Sequence, residues 1–454
     1  MNQQIASTDR TPIQVKEIEN LFAAGIRDRA LCARSGTCVG ICPENAITLN
    51  NDYYPVLDTG ACTQCGKCGQ VCPGGRVRFN HLSQEIFGVS DDGSFDGHTI
   101  KTYVGYAADP NVRDKGAGGG LVTALVASLL AHGYIYGCVV TRMRCDKPWK
   151  GEAFMARSFD QLTSSQGSRY TMIPLNCALA EIRETPGHYA IIGLPCHIHG
   201  VREAVCVDPL LAERIVAIFG TFCGGALELS LIPELLRTKG IALGDISDFQ
   251  FRGGAWPGQM RAVFKDRPPQ AVHYSNYKDG AYNYLISLYM PLRCQVCLDG
   301  SNLFADISVG DAWTRDRDGR YKFRNQSQVF VRSQRGRDLL ARAVTAGDLV
   351  LNDVSSDANY HTHKIHTHRK GLNAPLRHAR WMEKGRAVPQ YDRAPPSATA
   401  KERLTEQLVS VFLWIGNYRQ LRYPLLKMFT SKSAVPLIHL RLWLKKRKYR
   451  RQGR

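Results

Sequence analysis

No uninterrupted apolar run in the 454 residues approaches the ~18 residues of a membrane span, so the chain is expected to be soluble. No secretory signal is read at its start, so a reducing cytoplasm is expected for its cysteines rather than a disulfide framework. Acidic residues are scarce in the last fifth: residues 361–454 hold four Asp or Glu against 22 Lys or Arg, which leaves the first 360 residues at only +1 of the total +19. The excess charge therefore belongs to a terminal segment, and a body without basic excess or a recognition motif argues against nucleic acid as the partner.

What the chain has is cysteine in a pattern. Seven of its 15 cysteines, Cys32, Cys38, Cys42, Cys62, Cys65, Cys68 and Cys72, fall within 41 residues. Cys62-Thr-Gln-Cys65-Gly-Lys-Cys68-Gly-Gln-Val-Cys72-Pro73 is the C-x2-C-x2-C-x3-C-P run of bacterial two-cluster ferredoxins. Three close thiolates wrap one cube, and the fourth cysteine, before a proline, ligates the cube of the other motif. Cys62, Cys65 and Cys68 are thus expected to share a 4Fe-4S cluster with Cys42. The first half has the same frame, with Ser35 where the second cysteine belongs, so Cys32, Cys38 and Cys72 are one thiolate short. Three readings of Ser35 stay open: a three-iron cluster or a cube with oxygen on its fourth iron, a cube with a thiolate from elsewhere, or no stable cluster. Zinc is the bland alternative for the whole cassette; the paired Cys-Pro endings favour iron–sulfur.

Residues 16–30 carry helical spacing, and Ala46–Leu49 with Tyr54–Leu57 alternate like a small hairpin. A Ser/Asp/Gly-rich linker is expected at about 80–100. Beyond it, Tyr103–Ala107 reads as a strand, Gly118-Gly119-Gly120 opens an apolar helix, and Ile135–Thr141 reads as a second strand. That loop is neither GxGxxG nor a P-loop; it suits a phosphate at a helix N-terminus or a close-packed helix start. Tyr189–Gly193 and Ile215–Phe222 read as buried strands that deliver Cys196 and Cys223 at their carboxyl ends, where α/β sheets place ligands.

Cys62–Gly74, the Gly118-Gly119 helix start, Gly167-Ser168-Arg169-Tyr170, Gly193-Leu-Pro195-Cys196, Phe222-Cys223-Gly224-Gly225, Cys294-x-x-Cys297 and Ala305-Asp306-Ile-Ser-Val-Gly310-Asp311-Ala-Trp313 occur in one order. Over about residues 30–345 this order resembles the coenzyme F-420 hydrogenase/dehydrogenase beta-subunit family. That family includes deazaflavin-linked subunits, the 7-hydroxymethyl chlorophyll a reductases and bacterial members encoded with polysaccharide enzymes; the fused cassette and basic tail are most similar to the last. The resemblance implies an α/β flavoprotein domain behind an N-terminal ferredoxin-like (α+β) iron–sulfur domain, with a basic helical C-terminal tail. The units are expected at 16–80 (two-cluster domain), 101–200 and 201–350 (the two beta-subunit parts), 351–400 (basic extension) and 401–454 (amphipathic tail).

It also implies FAD, held by Gly118, Gly119, Gly120, Thr123, Gly167, Ser168, Arg169 and Tyr170, with Arg169 as a fixed cation for pyrophosphate or reduced flavin. Cys196, Cys223, Cys294 and Cys297 are read either as a further cluster anchored by Cys294 and Cys297, or with Cys196 or Cys223 as a proton donor in the substrate pocket, or as small buried residues. With these alternatives, Cys196, Cys223 and Arg169 are the candidate catalytic residues. Cys138, Cys145, Cys177 and Cys206 are taken as packing residues, and Asp306 and Asp311 as turn caps or a hold on a ribose hydroxyl.

The function expected is an iron–sulfur flavoprotein oxidoreductase that passes electrons from reduced ferredoxin or another donor through FAD to an organic substrate, in (exo)polysaccharide biosynthesis. The alternatives are a deazaflavin-linked or chlorophyll-type reductase and a noncatalytic electron-transfer subunit. His361, His363, His366 and His368 read as a solvated basic loop rather than a metal site. Leu404–Tyr418 and the Lys445–Arg451 cluster suit peripheral contact with an anionic membrane at its inner, cytoplasmic face.

Overall fold

The computed structural model describes residues 31–276, 282–316, 318, 320–355, 368–436, 439–441, 443, 444 and 447. The expected helix at 16–30, His361, His363, His366 and most of the Lys445–Arg451 cluster lie outside the described residues.

Alternating apolar residues make the expected hairpin inside the cassette. Ile47–Leu49 (β1) and Pro55–Leu57 (β2) pair antiparallel, with Ile47 opposite Leu57. Arg76–Val77 (β3) follows, and then the chain departs from expectation. The first part of the supposed linker is the helix Phe79–Phe87, because Phe79 and Leu82 turn into the core and Gly88, at φ 71°, ends the helix in a left-handed turn.

The main sheet is built from Lys101–Ala107 (β4), Gly137–Met143 (β5), Gly151–Ala156 (β6), Tyr189–Gly193 (β7) and Ile215–Thr221 (β8). Ile246–Gly253 (β9), Gln259–Phe264 (β10) and Gln270–Ala271 (β11) then form a separate antiparallel sheet, whose Phe249, Phe251 and Met260 share a core with Leu235 and Leu285. Ile307–Asp311 (β12), Ser327–Val331 (β13) and Leu349–Asp353 (β14) return to the main sheet, and Gln390–Tyr391 (β15) pairs parallel with β3.

The eight-stranded order is β14-β4-β13-β12-β8-β7-β5-β6. Its centre, β5-β7-β8-β12, is parallel, and its flanks are antiparallel. This is a mixed α/β sheet. The central strands are apolar almost throughout because elements cover both faces, and their carboxyl ends open at one edge.

Two features depart from a chain of separable units. Ile41, Val71, Val77, Phe79 and Leu82 belong to one apolar cluster with Leu179, Ile198, Val201 and Leu298, so the cassette shares a core with the sheet. The C-terminal segment is likewise docked rather than a free tail. Its helix Ala400–Gly416 starts at a Thr399/Glu402 capping box. Leu413 on this helix and Leu426 on Arg419–Thr430 are buried in the core of the small sheet. Gly416 allows that approach, since a Cβ there would stand 2.6 Å from the Leu288 carbonyl oxygen. Buried Glu406 takes Arg377 at 2.9 Å, and Glu234 takes Arg422 at 2.7 Å. No helix among the described residues is long and apolar enough to cross a membrane.

Candidate functional site

The two halves of the cassette repeat in backbone as well as in sequence. Arg34 (φ 47°) and Gly36 (φ 80°) in the first loop match Gln64 (φ 58°) and Gly66 (φ 74°) in the second. Each left-handed pair leads into a short helix, Thr37–Ile41 or Lys67–Gln70. Such turns point successive N–H groups into a concavity that suits an anionic group, and the Arg34 N–H donates to Cys32 Sγ at 3.4 Å. Cys32, Ser35, Cys38, Cys68 and Cys72 line one cavity of about 60 Å³, which brings Cys72 and Cys68 of the second motif beside the first. Burial pushes the Cys32 thiol up to about 11, and the Cys72 charge adds to the rise. Burial raises Cys68 to about 12, with Cys65 and Cys42 adding to it. Among the described residues no three thiols, imidazoles or carboxylates converge tightly enough to hold a single metal ion. A four-iron cube places its thiolates farther apart than one zinc does.

A second cavity, of about 310 Å³, opens at the carboxyl ends of the parallel strands. Gly118, Gly120, Thr123, Gly167, Ser168, Arg169, Tyr170 and Cys223 line it. Gly120 (φ 66°) starts the helix Leu121–Ala131 with no capping side chain, which leaves the first N–H groups of that helix for whatever occupies the cavity. Gly119 is a correction. Its N–H goes to Asn325 Oδ1 at 3.0 Å and its carbonyl accepts from Ala107 N at 2.8 Å, so its role is to hold the loop against the sheet.

Arg169 has two roles. Its Nη1 donates to the Ser165, Gln166 and Gly167 carbonyls at 2.6, 3.2 and 2.9 Å and so ties its own loop. Its buried Nε has no hydrogen-bond partner, nor has Thr171 Oγ1 on the same wall. Burial lowers the Arg169 pKa to about 10 against the opposing charge of Asp248. Asp311, read as a cap or ribose hold, takes Arg252 Nη1 at 3.0 and 2.9 Å across the cavity wall. Asp306 is structural: its Oδ2 accepts from Ile218 N at 2.9 Å and its Oδ1 from Ser333 Oγ at 2.8 Å. Trp313 stacks on Trp256, with centroids 5.2 Å apart, at the cavity edge.

Cys196, Cys223, Cys294 and Cys297 are brought together beside this cavity. Burial pushes Cys223 up to about 12, with Cys294 and Cys297 adding to it. Cys196 is raised well above the thiol range by burial, then by Cys294, Cys223 and Cys297. Cys223 also lines the cavity, whereas Cys196 does not, so a role for Cys196 as a proton donor in that pocket is corrected. It sits on the second residue of the helix Pro195–Val207 and faces the other thiols.

Two buried cations flank the four. Burial works to lower the Lys370 pKa, yet Cys297, Cys223 and Cys294 leave it raised. Its Nζ reaches the Cys294 carbonyl at 3.5 Å. Arg293 is held in the same balance by Tyr391 and the thiols, and its Nη2 donates to the Pro73 carbonyl at 2.7 Å, which links this group to the cassette. Arg377 Nη1 and Tyr391 Oη clamp the Gln295 and Val296 carbonyls at 2.6 and 2.9 Å. Sequence reasoning missed these four residues. Arg293, adjacent to Cys294, carried the one available signal.

Known proteins share this arrangement of elements. Residues 102–180 match the N-terminal part of the coenzyme F420 hydrogenase/dehydrogenase beta subunit, and residues 187–357 match its C-terminal part. A subunit of the F(420)H(2) dehydrogenase of Methanosarcina mazei is 26% identical over 311 residues, 67% of this chain and 80% of that protein. The coenzyme F420 hydrogenase beta subunit of Methanosarcina barkeri is 24% identical over 53% of this chain and 77% of its own length. The coenzyme F420-dependent sulfite reductase of Methanocaldococcus jannaschii is 23% identical over 69% of this chain and 46% of its own. A chain of the F420-reducing NiFe hydrogenase complex from Methanosarcina barkeri has a similar fold, with a TM-score of 0.51 at 20% identity over 66% of this chain and 99% of that one.

Proposed function

Because the chain belongs to the coenzyme F420 hydrogenase/dehydrogenase beta-subunit family, we propose that it is an electron-transfer oxidoreductase of the deazaflavin-linked kind, working with a protein partner. In this reading the cassette and the group Cys196, Cys223, Cys294 and Cys297 hold iron–sulfur clusters, and the cavity at the strand ends holds FAD. One observation carries it: Cys223 belongs both to the four-thiol group and to the cavity wall, so a cluster and a cofactor placed there would be neighbours. The similar proteins are F420-linked oxidoreductases, so the deazaflavin alternative stands ahead of a polysaccharide or chlorophyll-type substrate.

The cavity residues fit an anionic cofactor. Gly118, Gly120 and Thr123 at the open helix start would hold phosphate, and the unpartnered Arg169 Nε would supply the missing charge partner. FAD, when bound, supplies the exchange between one-electron and two-electron carriers. The loop 165–171 forms one wall of the cavity, and Trp313 lies at its edge. Lys370 and Arg293 balance the negative charge of four thiolates around iron, and Arg293, touching Pro73, stands between that group and the cassette.

The test is anaerobic titration of protein reconstituted with iron, sulfide and FAD. Bleaching of the flavin band by reduced F420 alone supports the enzyme reading. Bleaching that needs a partner protein supports the noncatalytic subunit, and protein that retains no flavin refutes the cavity assignment.

We further propose that residues 401–454 bring the protein to an anionic membrane surface. Leu404, Leu408, Phe412 and Trp414 are exposed along the outer side of Ala400–Gly416, in a segment with 14 Lys or Arg against two Glu. Attraction of this kind is screened over about 8 Å at physiological salt. Co-sedimentation with anionic but not neutral vesicles, weakened by salt and by Leu408→Glu with Trp414→Glu, is the expected result. Protein that stays in the supernatant with anionic vesicles at low salt would overturn it.

A further inference from the structure

We propose that Arg293 is a cation shared by two iron–sulfur sites, the group Cys196, Cys223, Cys294 and Cys297 and the cassette half with Cys32, Cys38 and Cys72. It sets the potential of both and marks the crossing for electrons between them. The inference rests on both places holding clusters, as in the proposed function, and adds the residue that joins them.

Arg293 is the second residue of the short helix Leu292–Gln295 and the neighbour of Cys294, and its side chain reaches the cassette. Its Nη2 donates to the Pro73 carbonyl at 2.7 Å. Pro73 follows Cys72, and both line the small cavity together with Cys32 and Cys38. The loop that carries the accepting carbonyl is pressed close there: a Cβ at Gly74 would stand 2.4 Å from the Leu31 carbonyl oxygen and 3.3 Å from Cys72 Sγ. The C-terminal strand also holds this loop. Gln390 N donates to the Gly75 carbonyl at 2.8 Å, and the ring of Tyr391 has its centroid 5.7 Å from the Arg293 guanidinium carbon.

The charge of Arg293 is felt on both sides. The residue is 4% exposed, and its buried Nε has no hydrogen-bond partner among the described residues. Burial works to lower its pKa, yet Tyr391, Cys297, Cys294 and Cys196 leave it raised. In the cassette, burial raises Cys32, and the charges of Arg34 and Arg293 work against that rise. In the inner group, burial raises Cys196 and Cys294, and Arg293 again opposes it. Lys370, in contrast, owes its own raised pKa to Cys297, Cys223 and Cys294, all of the inner group. A buried charge is weakly screened, so loss of Arg293 should disfavour the reduced, more negative form of both clusters.

In the transfer, one electron leaves the cassette cluster, which is oxidised by one, and enters the inner cluster, which is reduced by one. Arg293 keeps its proton and changes no oxidation state. The peptide links Cys72–Pro73 and Arg293–Cys294 make the route a bonded one, interrupted by the hydrogen bond to Pro73.

The experiment uses the full chain, reconstituted anaerobically with iron and sulfide, and reads each cluster by EPR in a redox-poised titration. Arg293→Gln removes the charge and keeps a donor. It is expected to lower the inner cluster and the cluster of Cys32, Cys38 and Cys72 together, each by one decade in a one-electron equilibrium, about 60 mV. The cluster on Cys42, Cys62, Cys65 and Cys68 should not move. Arg293→Lys keeps the charge and should return both potentials toward those of the unmodified protein, a result that a merely structural role would not give. A shift confined to one cluster, no shift in either, or equal shifts with Gln and Lys overturns the proposal while leaving the clusters in place. Absence of a cluster from either group in the unmodified protein overturns the cluster reading and the proposal with it. If Arg293→Gln does not fold, the fully reduced unmodified protein decides. Spin coupling between the two clusters, lost in Cys294→Ser with Cys297→Ser, supports the shared position, and two uncoupled signals overturn it.

Discussion

The outer half of the cassette and the thiol group beside the large cavity use the same residue type with different neighbours. Cys65 is exposed and Cys62 and Cys68 are partly so, on a loop whose charge water can screen. Cys196, Cys223 and Cys294 are also partly exposed, but the chain sets beside them Lys370 and Arg293, buried to 1% and 4% exposure. A cluster at the surface can take electrons from another protein, whereas one in the interior needs fixed cations and can hand electrons only to what lies against it. In the proposed function, the difference would give entry to one region and delivery to the other.

The largest test of that division removes each side in turn. Cys294→Ser with Cys297→Ser should abolish flavin reduction by reduced ferredoxin, measured by stopped-flow absorbance, while the cassette keeps its EPR signal. Cys65→Ser should stop entry from ferredoxin yet leave bleaching of the flavin by reduced F420 intact. Equal effects of the two variants on both donors would erase the distinction.

Acid should strike the inner region first. His197 is buried under the cavity, with Nδ1 accepting from Leu194 N at 3.1 Å and Nε2 3.0 Å from the Ile173 carbonyl, and burial lowers its pKa from 6.5 to about 4. The unfolded chain therefore binds this proton before the folded one does. Stability is intact above pH 6.5 and falls by on the order of 3 kcal/mol as the pH drops toward 4. His197→Gln keeps an acceptor and a donor and should reduce that slope in urea unfolding at pH 4–7, leaving the part due to buried His273, which burial also lowers to about 4. The cassette from residue 32 to 77 contains no histidine and should show no matching slope.

Arg169→Leu should weaken FAD by roughly 10- to 100-fold, the worth of one hydrogen bond to a charged group, as read by fluorescence titration. The smallest expected effect is on potential. Lys370→Met should lower the inner cluster by about 60 mV, one decade in a one-electron equilibrium, and leave the cassette clusters unmoved in a redox-poised EPR titration.

Much of this arrangement was legible in the sequence, and the reasons differ by residue. The Cys-Pro runs and the strands at Tyr189–Gly193 and Ile215–Thr221 are local patterns, so spacing and apolar runs disclose them. Lys370 was not legible, since a lysine in a basic stretch gives no sign that it will be buried against Gly300 and Cys294. Arg252 comes from a separate sheet 59 residues before Asp311, and the pair exists only after folding. The C-terminal helices were read as a free tail because their exposed leucines obscure Leu413 and Leu426, the two that dock.

The clamp formed by Lys370, Arg377 and Tyr391 has a consequence in time. A ribosome adding about 5 to 20 residues per second completes Cys297 several seconds before it completes Tyr391. During that interval the four inner thiols are on the nascent chain, while the segment that covers them is still unmade. Metal and sulfide can be delivered then by an open route. β15, which carries Tyr391, can pair with β3 only after that residue is made. In the proposed function, a cluster on these thiols could therefore be assembled before Lys370, Arg377 and Tyr391 arrive beside it.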